Sequence, residues 1–452
     1  MLWTALLLTG CSQTSTGVVG ELPIHKRIIE SNALDLLFVI DNSPSTADKQ
    51  TVFNQNFAHF VQALDAFPQG RPDVHIGVVN TTVDLHAVML PPMNCPSPDP
   101  WDDGVLQNTG RIAGCAIPNG RYISDVSNGS GGRTTNYTGT LESAFTCIAE
   151  LGTSGCGIEA PLEAMKRALD GSRPENAGFL RDDAYLAVVI LTDEDDASVL
   201  DPSIFASLPG SDFPAQPQNA YHCDTPIVQA PGSYTNCTAD ISNSAYANPH
   251  DYAQFLSTIK DPSQTLVAVI GGPPSSSISV GPLTIDGFVQ ALALQPTCSA
   301  VINGNPAIAR PANRLDVFRS SFDELGHGVF ASACQADYSG ALAQIGTTAF
   351  QMMSPCLEGA IDTSDRDPVM PGIQLACDVE LVANVAGPPQ RTKLAACPMI
   401  DANTPSPNAA APCYWVRPDA SCSTTSRLAI ETVLPQPLSA TSAIDIDCTR
   451  AP

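Results

Sequence analysis

Residues 34–45 read Leu34-Asp35-Leu36-Leu37-Phe38-Val39-Ile40-Asp41-Asn42-Ser43-Pro44-Ser45. The almost unbroken apolar run 34–40 predicts a parallel strand buried on both faces. Asp-x-Ser-x-Ser follows it at once, and across 46–67 the apolar residues Val52, Phe53, Phe57, Phe60, Val61 and Leu64 recur at helical spacing. Outward from this strand-loop-helix unit the pattern repeats. Residues 74–79, 185–191, 266–270 and 328–330 read as further strands, the last one short. Helical spacing returns at 141–150, 159–170, 250–261 and 338–352. Strands alternating with helices predict the α/β class, with a doubly wound, mostly parallel sheet. In such sheets ligands bind beyond the carboxyl ends of the strands, so the loops leaving Ile40 and Leu191 are the places to search.

Composition narrows the function. The chain has 452 residues, 46 Asp+Glu against 21 Lys+Arg, and a formal net charge of −25. That surplus repels phosphate and argues against any nucleic-acid partner. With 43% hydrophobic and 15% charged residues, it is no disordered acidic tail. No apolar run reaches the roughly 18 residues of a membrane-spanning helix. Two stretches rich in Pro, Gly, Asn and Asp, 83–140 and 199–248, read as insertions in a body spanning 33–354. From 355 to 452 short Val/Ile/Leu stretches alternate with Pro, Asn and six Cys, which predicts a small β-rich, disulfide-stapled domain.

There are 15 Cys. Cys11 closes Leu8-Thr9-Gly10-Cys11 after an apolar run, an arrangement similar to a bacterial lipobox in which the Cys carries the lipid; residues 1–10 would be the signal peptide, although they contain no Lys or Arg. Residues 11–32 then read as a tether. Ser12 after the lipobox points to the outer membrane of a bacterial envelope, with lipid as the sole membrane anchor. The remaining cysteines are even in number, which in an exported chain reads as a disulfide framework. Proximity in sequence favours Cys95–Cys115, Cys147–Cys156 and Cys223–Cys237, and Cys298–Cys334 is a longer pairing. No Cys-x-x-Cys exists to hold zinc.

The chemistry concentrates in two loops. In Asp41-Asn42-Ser43-Pro44-Ser45, alternate residues of a tight turn can aim one carboxylate and two hydroxyls at one cation. Such hard oxygen ligands suit Mg²⁺, Mn²⁺ or Ca²⁺. The strand 185–191 ends in Thr192-Asp193-Glu194-Asp195-Asp196, and Asp193 would face the Asp41 loop if the two strands lie side by side. Taken alone, the acidic run would be a solvated loop.

A buried strand, Asp-x-Ser-x-Ser, and a later strand ending in Thr-Asp resemble a von Willebrand factor A (vWA) domain over roughly 33–350. The phrases Phe-Val-Ile-Asp-Asn-Ser, Gly-Thr-Ser-Gly-Cys-Gly-Ile-Glu, Ala-Gly-Phe-Leu-Arg-Asp-Asp-Ala and Asp-Glu-Asp-Asp are similar to those of large vWA lipoproteins of gliding and predatory bacteria. The resemblance implies a Rossmann-like sheet with a metal-ion-dependent adhesion site (MIDAS). Its metal ligands here would be Asp41, Ser43, Ser45 and Asp193, with a divalent cation as cofactor and a protein partner's carboxylate filling the open position. The family's middle-loop Thr falls near Cys156 in this chain; Thr153 is the nearest hydroxyl and Glu159 a possible carboxylate substitute.

Enzyme motifs are missing. Gly152-Thr153-Ser154-Gly155-Cys156 lacks the last Gly of a nucleophile elbow, no His-Glu-x-x-His occurs, and no Gly-Lys pair marks a P-loop. His75 reads as a core or edge histidine and His327 as a turn residue. The expectation is a non-enzymatic, lipid-anchored binding or adhesion protein. The alternatives are a structural envelope lipoprotein with a degenerate metal site and a metal-dependent hydrolase.

Overall fold

The computed structural model describes residues 23–84, 102–205, 220–228, 230–242, 245–285, 288–302, 304–383, 388–422, 426–439 and 441–451. The signal peptide at 1–10, Cys11, the first half of the tether and Cys95 lie outside the described residues.

The protein is mixed α/β. Strand β1 (Ile24–Ile29) leads into β2 (Ala33–Ile40), helix α1 (Ala47–Asp65) and β3 (Asp73–Asn80). Within the first insertion are β4 (Ile123–Ser127) and β5 (Arg133–Thr135), followed by α2 (Leu141–Ala149), α3 (Pro161–Leu169) and β6 (Tyr185–Leu191). The central sheet runs Gly328–Ser332, Thr265–Gly271, β6, β2, β3, β4, β5. Its first five strands are parallel, and β4 and β5 add antiparallel at the β3 edge. From β2 the chain steps outward to β3 on one side, and from β6 outward on the other. The order therefore reverses between β2 and β6, where an α/β sheet opens a crevice at its carboxyl edge.

Strand β2 is buried throughout because it is covered on both faces. Leu34, Leu36, Phe38 and Ile40 pack toward α1, α2 and the Ser339–Met353 helix, while Leu37 and Val39 pack toward α3 and the Pro249–Ile259 and Asn313–Ser320 helices. Phe38 anchors the first layer edge-on against Phe53, Phe57 and Phe145, and Phe57 stacks on Phe145 at 3.5 Å between ring centres. Each such pair adds about 0.5–1.5 kcal/mol beyond burial. Asp35 is the polar exception in β2. It is fully buried and accepts from the Arg181 N–H at 2.6 Å and Nε at 2.8 Å; burial still pushes its carboxyl up to about 6.

The C-terminal residues form a second sheet, ordered β1, Ser442–Cys448, Cys377–Ala383, Gln390–Lys393, beside the hairpin Cys413–Pro418/Leu428–Val433. Cys356–Cys422, Cys377–Cys448 and Cys397–Cys413 staple this half. Two elements depart from expectation. Residues 24–29, inside the range read as a tether, are a strand paired antiparallel with Ser442–Cys448; Lys26 is buried there because its ammonium meets Glu358 at 3.1 Å. His327 lies just after the turn at Gly326, as read, and is fully buried, with Nε2 2.8 Å from Glu358. Cys115 bonds to Cys147, so neither Cys95–Cys115 nor Cys147–Cys156 forms, while Cys156 is disulfide-bonded. Cys223–Cys237 and Cys298–Cys334 pair as expected.

The C-terminal sheet docks at the amino edge of the central strands. Arg27 N donates to Ser263 Oγ at 2.8 Å, and His25 Nε2 lies 3.3 Å from Asp261, both just ahead of the Thr265–Gly271 strand. A cleft of about 830 Å³ lined by Ile28, Phe67, Phe350, Arg417 and Leu438 opens at this seam, at the opposite end from the loops that leave Ile40 and Leu191.

Candidate functional site

The parallel ladder pairs Ile40 with Leu191 and continues one step further, with Asp41 N donating to Leu191 O at 2.9 Å. That step places the Asp41 loop beside the Asp193 loop. Asp41 is fully buried. Its Oδ2 accepts from Thr192 Oγ1 at 2.7 Å, and its Oδ1 from Ser43 N at 2.8 Å. Ser43 Oγ lies 3.2 Å from Ser45 Oγ, and Ser45 Oγ donates to Asp193 Oδ1 at 3.0 Å. The loop is held from below by Thr46 Oγ1 and Gln50 Nε2, which both donate to Asp41 O.

The middle loop closes one side. Gly155 N donates to Asn42 O at 2.8 Å, and a Cβ on Gly155 would stand 2.1 Å from Asn42 Oδ1, so any other residue there must displace the Asn42 side chain. Thr82 Oγ1 bridges Asn42 Oδ1 and Cys156 N. Thr153 is exposed and makes no hydrogen bond to the cluster. Glu159 is buried beside it: burial first, then the charges of Asp41 and Asp193, hold its carboxyl well above the usual range. Thr81, whose carbonyl accepts from Ala160 N, carries a buried hydroxyl without a partner.

The acidic run is not a solvated loop, and its four members do different work. Asp193 faces the Ser43/Ser45 hydroxyls. Glu194 forms an ion pair with Arg310. Asp195 accepts from Arg314 N at 3.0 Å and Leu315 N at 3.1 Å, and Asp196 accepts from Leu162 N at 3.2 Å. Both receiving helices start at an alanine with no side-chain cap. Asp195 and Asp196 therefore satisfy orphan N–H groups from a distance, each worth about 1 kcal/mol. Asp196 also pairs with Arg314, which is fully buried.

Lys49, in the first turn of α1, was not anticipated from the sequence. Its Nζ lies 2.8 Å from Asp193 Oδ2, 3.0 Å from Ser45 O and 3.0 Å from Asp48, and its side chain is 2% exposed. Burial opposes this ammonium, yet Asp193 and Asp48 outweigh it and raise its pKa. Thr192 and Lys49 are the site residues missed in the sequence; Lys49 was detectable only as a cation one helical turn beyond Ser45.

Among the described residues no group of three or more His, Cys, Asp or Glu is arranged to hold a metal ion. The cluster instead offers two carboxylates and two hydroxyls. Their fit to a cation can be judged from oxygen spacing. Neighbouring ligands around an octahedral ion with bonds of about 2.1 Å lie about 3.0 Å apart, and the Ser43–Ser45 and Ser45–Asp193 oxygens stand at 3.2 and 3.0 Å. Asp41 adds a second indication. Burial, then the charge of Asp193, pushes it up to about 7 against the hydrogen bonds from Ser43 and Thr192, so a cation would relieve a real electrostatic cost.

No family model matches the chain, and no curated protein matches it. Among solved structures it is similar to the human COPII-coat protein Sec24c (TM-score 0.29, 9% identity, 95% of this chain and 40% of that one). It is also similar to the pilus adhesin RrgA from Streptococcus pneumoniae (0.26, 10%, 95% and 57%) and to the adhesive tip pilin GBS104 from Group B Streptococcus agalactiae (0.25, 9%, 94% and 81%). The chain thus spans well under two thirds of the first two. At these scores the likeness bears on neither family nor function. Described disulfides in both halves fit an exported protein. Among the described residues no helix is long and apolar enough to cross a membrane.

Proposed function

We propose that the carboxyl edge between β2 and β6 is a vWA-like, MIDAS-type site at which Asp41, Ser43, Ser45 and Asp193 hold a divalent cation. The protein then acts as an exported, lipid-anchored adhesion protein, tethered through Cys11 to a bacterial outer membrane. The observation that carries this reading is the Ser45–Asp193 contact: hydroxyl and carboxylate from two loops share one point at the topological switch of the sheet. The cation would supply a positive centre for a partner's carboxylate. Asp41 and Asp193 would balance its charge, and Thr192 and Ser43 N would hold the Asp41 carboxylate in its rotamer. Glu159, in place of a middle-loop hydroxyl, would narrow the site from behind.

One observation favours a second reading. Lys49 already neutralises Asp193, as it would in a structural envelope lipoprotein whose metal site is degenerate. Titration calorimetry with Mg²⁺, Mn²⁺ and Ca²⁺ on wild type and Asp41→Ala separates the two. Heat in the wild type that vanishes in the variant supports adhesion; no heat from any ion in a folded wild type supports the degenerate site. Metabolic labelling with a fatty acid, lost in Cys11→Ser, tests the anchor.

A further inference from the structure

The Leu428–Val433 strand has a full partner on one side only, Cys413–Pro418. On its other side Leu357 N donates to Leu428 O at 2.8 Å and Ile430 N donates to Pro355 O at 3.0 Å. There the pairing stops, because the chain reaches Pro355 straight from the end of the Ser339–Met353 helix. In an antiparallel strand, alternate residues turn both backbone groups to the same side. Thr432 is the next residue after Leu428 and Ile430 in that alternation. Tyr414, opposite Thr432, turns its carbonyl away to Cys397 N. Among the described residues nothing pairs with the backbone of Thr432 on the open side. Thr432 and Leu434 form part of the wall of the cleft of about 830 Å³ at the seam, and Ile28, Phe67, Phe350, Met353 and Leu438 give it an apolar lining.

We propose that this seam is a strand-addition site: an extended peptide of a partner protein, apolar at alternate positions and bearing a Lys or Arg, continues the line of Pro355–Leu357, pairs with the backbone of Thr432 and seats side chains in the cleft. Main-chain hydrogen bonds to an open edge hold such a peptide in register, and the lining selects its alternate side chains. Met353, unbranched and adaptable, lets the lining fit more than one apolar residue. Pro435, just past Leu434, ends the open edge and keeps the pairing short. Charge sets the kind of partner. Arg417 is the one cation among the described residues that line the cleft, and Asp419 at 2.7 Å and Glu431 at 2.9 Å both hold it. Glu30, exposed at the rim, meets no cation among the described residues. The mouth is therefore anionic and complements a basic peptide, whereas a second copy of this chain, with a net charge of −25, is repelled. The seam lies at the opposite end of the central sheet from the Asp41 loop, so this inference stands apart from the cation reading.

The test pans a phage-displayed library of random peptides, about ten residues long, on the full chain and measures a synthetic copy of the best binder by fluorescence anisotropy. Enriched peptides should alternate apolar residues and carry Lys or Arg. N-methylation, one position at a time, should weaken binding at least about tenfold at backbone-paired positions and little at those between. Thr432→Pro removes the outward N–H without touching the pairing to Cys413–Pro418, and should weaken binding to the same extent. Glu30→Lys should weaken it about threefold. EDTA should change nothing. A benzophenone on the peptide should label Met353 or Leu438 of the wild type, which locates the site even if Thr432→Pro fails to fold. No enriched peptide, indifference to N-methylation, labelling elsewhere, or loss of binding in EDTA each overturns the proposal. So does a concentration-dependent dimer, seen by ultracentrifugation, that Thr432→Pro abolishes, since the edge would then belong to a second copy.

Discussion

Ser45 Oγ donates to Asp193 Oδ1 at 3.0 Å across 148 positions of sequence. The contact exists because β2 and β6 are neighbours in register, so that the residues just beyond Ile40 and Leu191 emerge together. It ties the two halves of the candidate site even before an ion enters.

Removing Asp193 should therefore cost stability as well as ion binding. Asp193→Ala leaves Lys49 buried without its main partner, and stripping one member from a buried pair costs about 3–5 kcal/mol. Denaturant unfolding should show this loss. The double variant Asp193→Ala/Lys49→Met should recover a large part of it, since no orphan charge remains; lack of recovery would show that the pair is not the cause.

Gly155→Ala should strike the site without touching a ligand. Its new Cβ would fall 2.1 Å from Asn42 Oδ1, forcing the side chain next to Asp41 to move. Overpacking of this kind costs about 1–3 kcal/mol, and Mn²⁺ affinity should fall with the melting temperature. An alanine variant with unchanged Mn²⁺ affinity would mean that Asn42 yields freely.

Four buried carboxyls are raised, each chiefly through burial: Asp41 to about 7, Asp35 and Asp195 to about 6, and Glu159 well above the usual range. The folded form holds these protons over a range where the unfolded chain has released them. The stability these carboxyls give the metal-free protein should consequently be lost as pH rises from about 4 through about 7, with Glu159 and His25 extending the decline to higher pH. Saturating Mn²⁺ should oppose the decline, because ion binding needs Asp41 ionised and strengthens as pH rises toward 7. Melting curves across this range, with and without Mn²⁺, check both signs.

At the other end of the sheet, His25 keeps this sign and Asp261 reverses it. His25 is opposed by burial but held by Asp261 and Asp447, which raise it to about 9; burial also opposes ionised Asp261, yet its bonds, His25 foremost, lower it to about 2. The His25 contribution should be complete below about pH 6.5 and disappear as pH climbs through 9; that of Asp261 should be complete above about 4 and fade as pH drops through 2. His25→Gln should flatten the alkaline limb, read by thermal unfolding between pH 6 and 10.

What was legible in the sequence was local. The run at 34–40 had to be a doubly covered strand, and Asp41, Ser43 and Ser45 sit on the turn that leaves it, so their convergence needed only the adjacent Leu191 strand. Long-range choices were hidden. Strand β1 escaped notice because His25, Lys26 and Arg27 break its apolar pattern, and the carboxylates of Glu358, Asp261, Asp445 and Asp447 make those charges tolerable there. The Asn313–Ser320 helix is short and polar, with Leu315 and Phe318 as its buried apolar residues; its start depends on Asp195. Proximity in sequence failed for Cys115, whose partner Cys147 is brought near by the fold of the first insertion. Thr153 was the nearest hydroxyl in sequence, but in space the loop offers Thr82.

The placement of β1 has a mechanical consequence. From Pro23 to Asp41 the polypeptide consists of β1, a short bend and β2. A pull between whatever holds the leading end and whatever grips the far face would run along these two strands. Both are flanked by hydrogen-bonded neighbours, Ser442–Cys448 for one and β3 and β6 for the other. The first neighbour is itself riveted by Cys377–Cys448. Under the adhesion reading the terminal sheet would serve as a strain relief, and tension would reach the Asp41 loop without passing through either insertion.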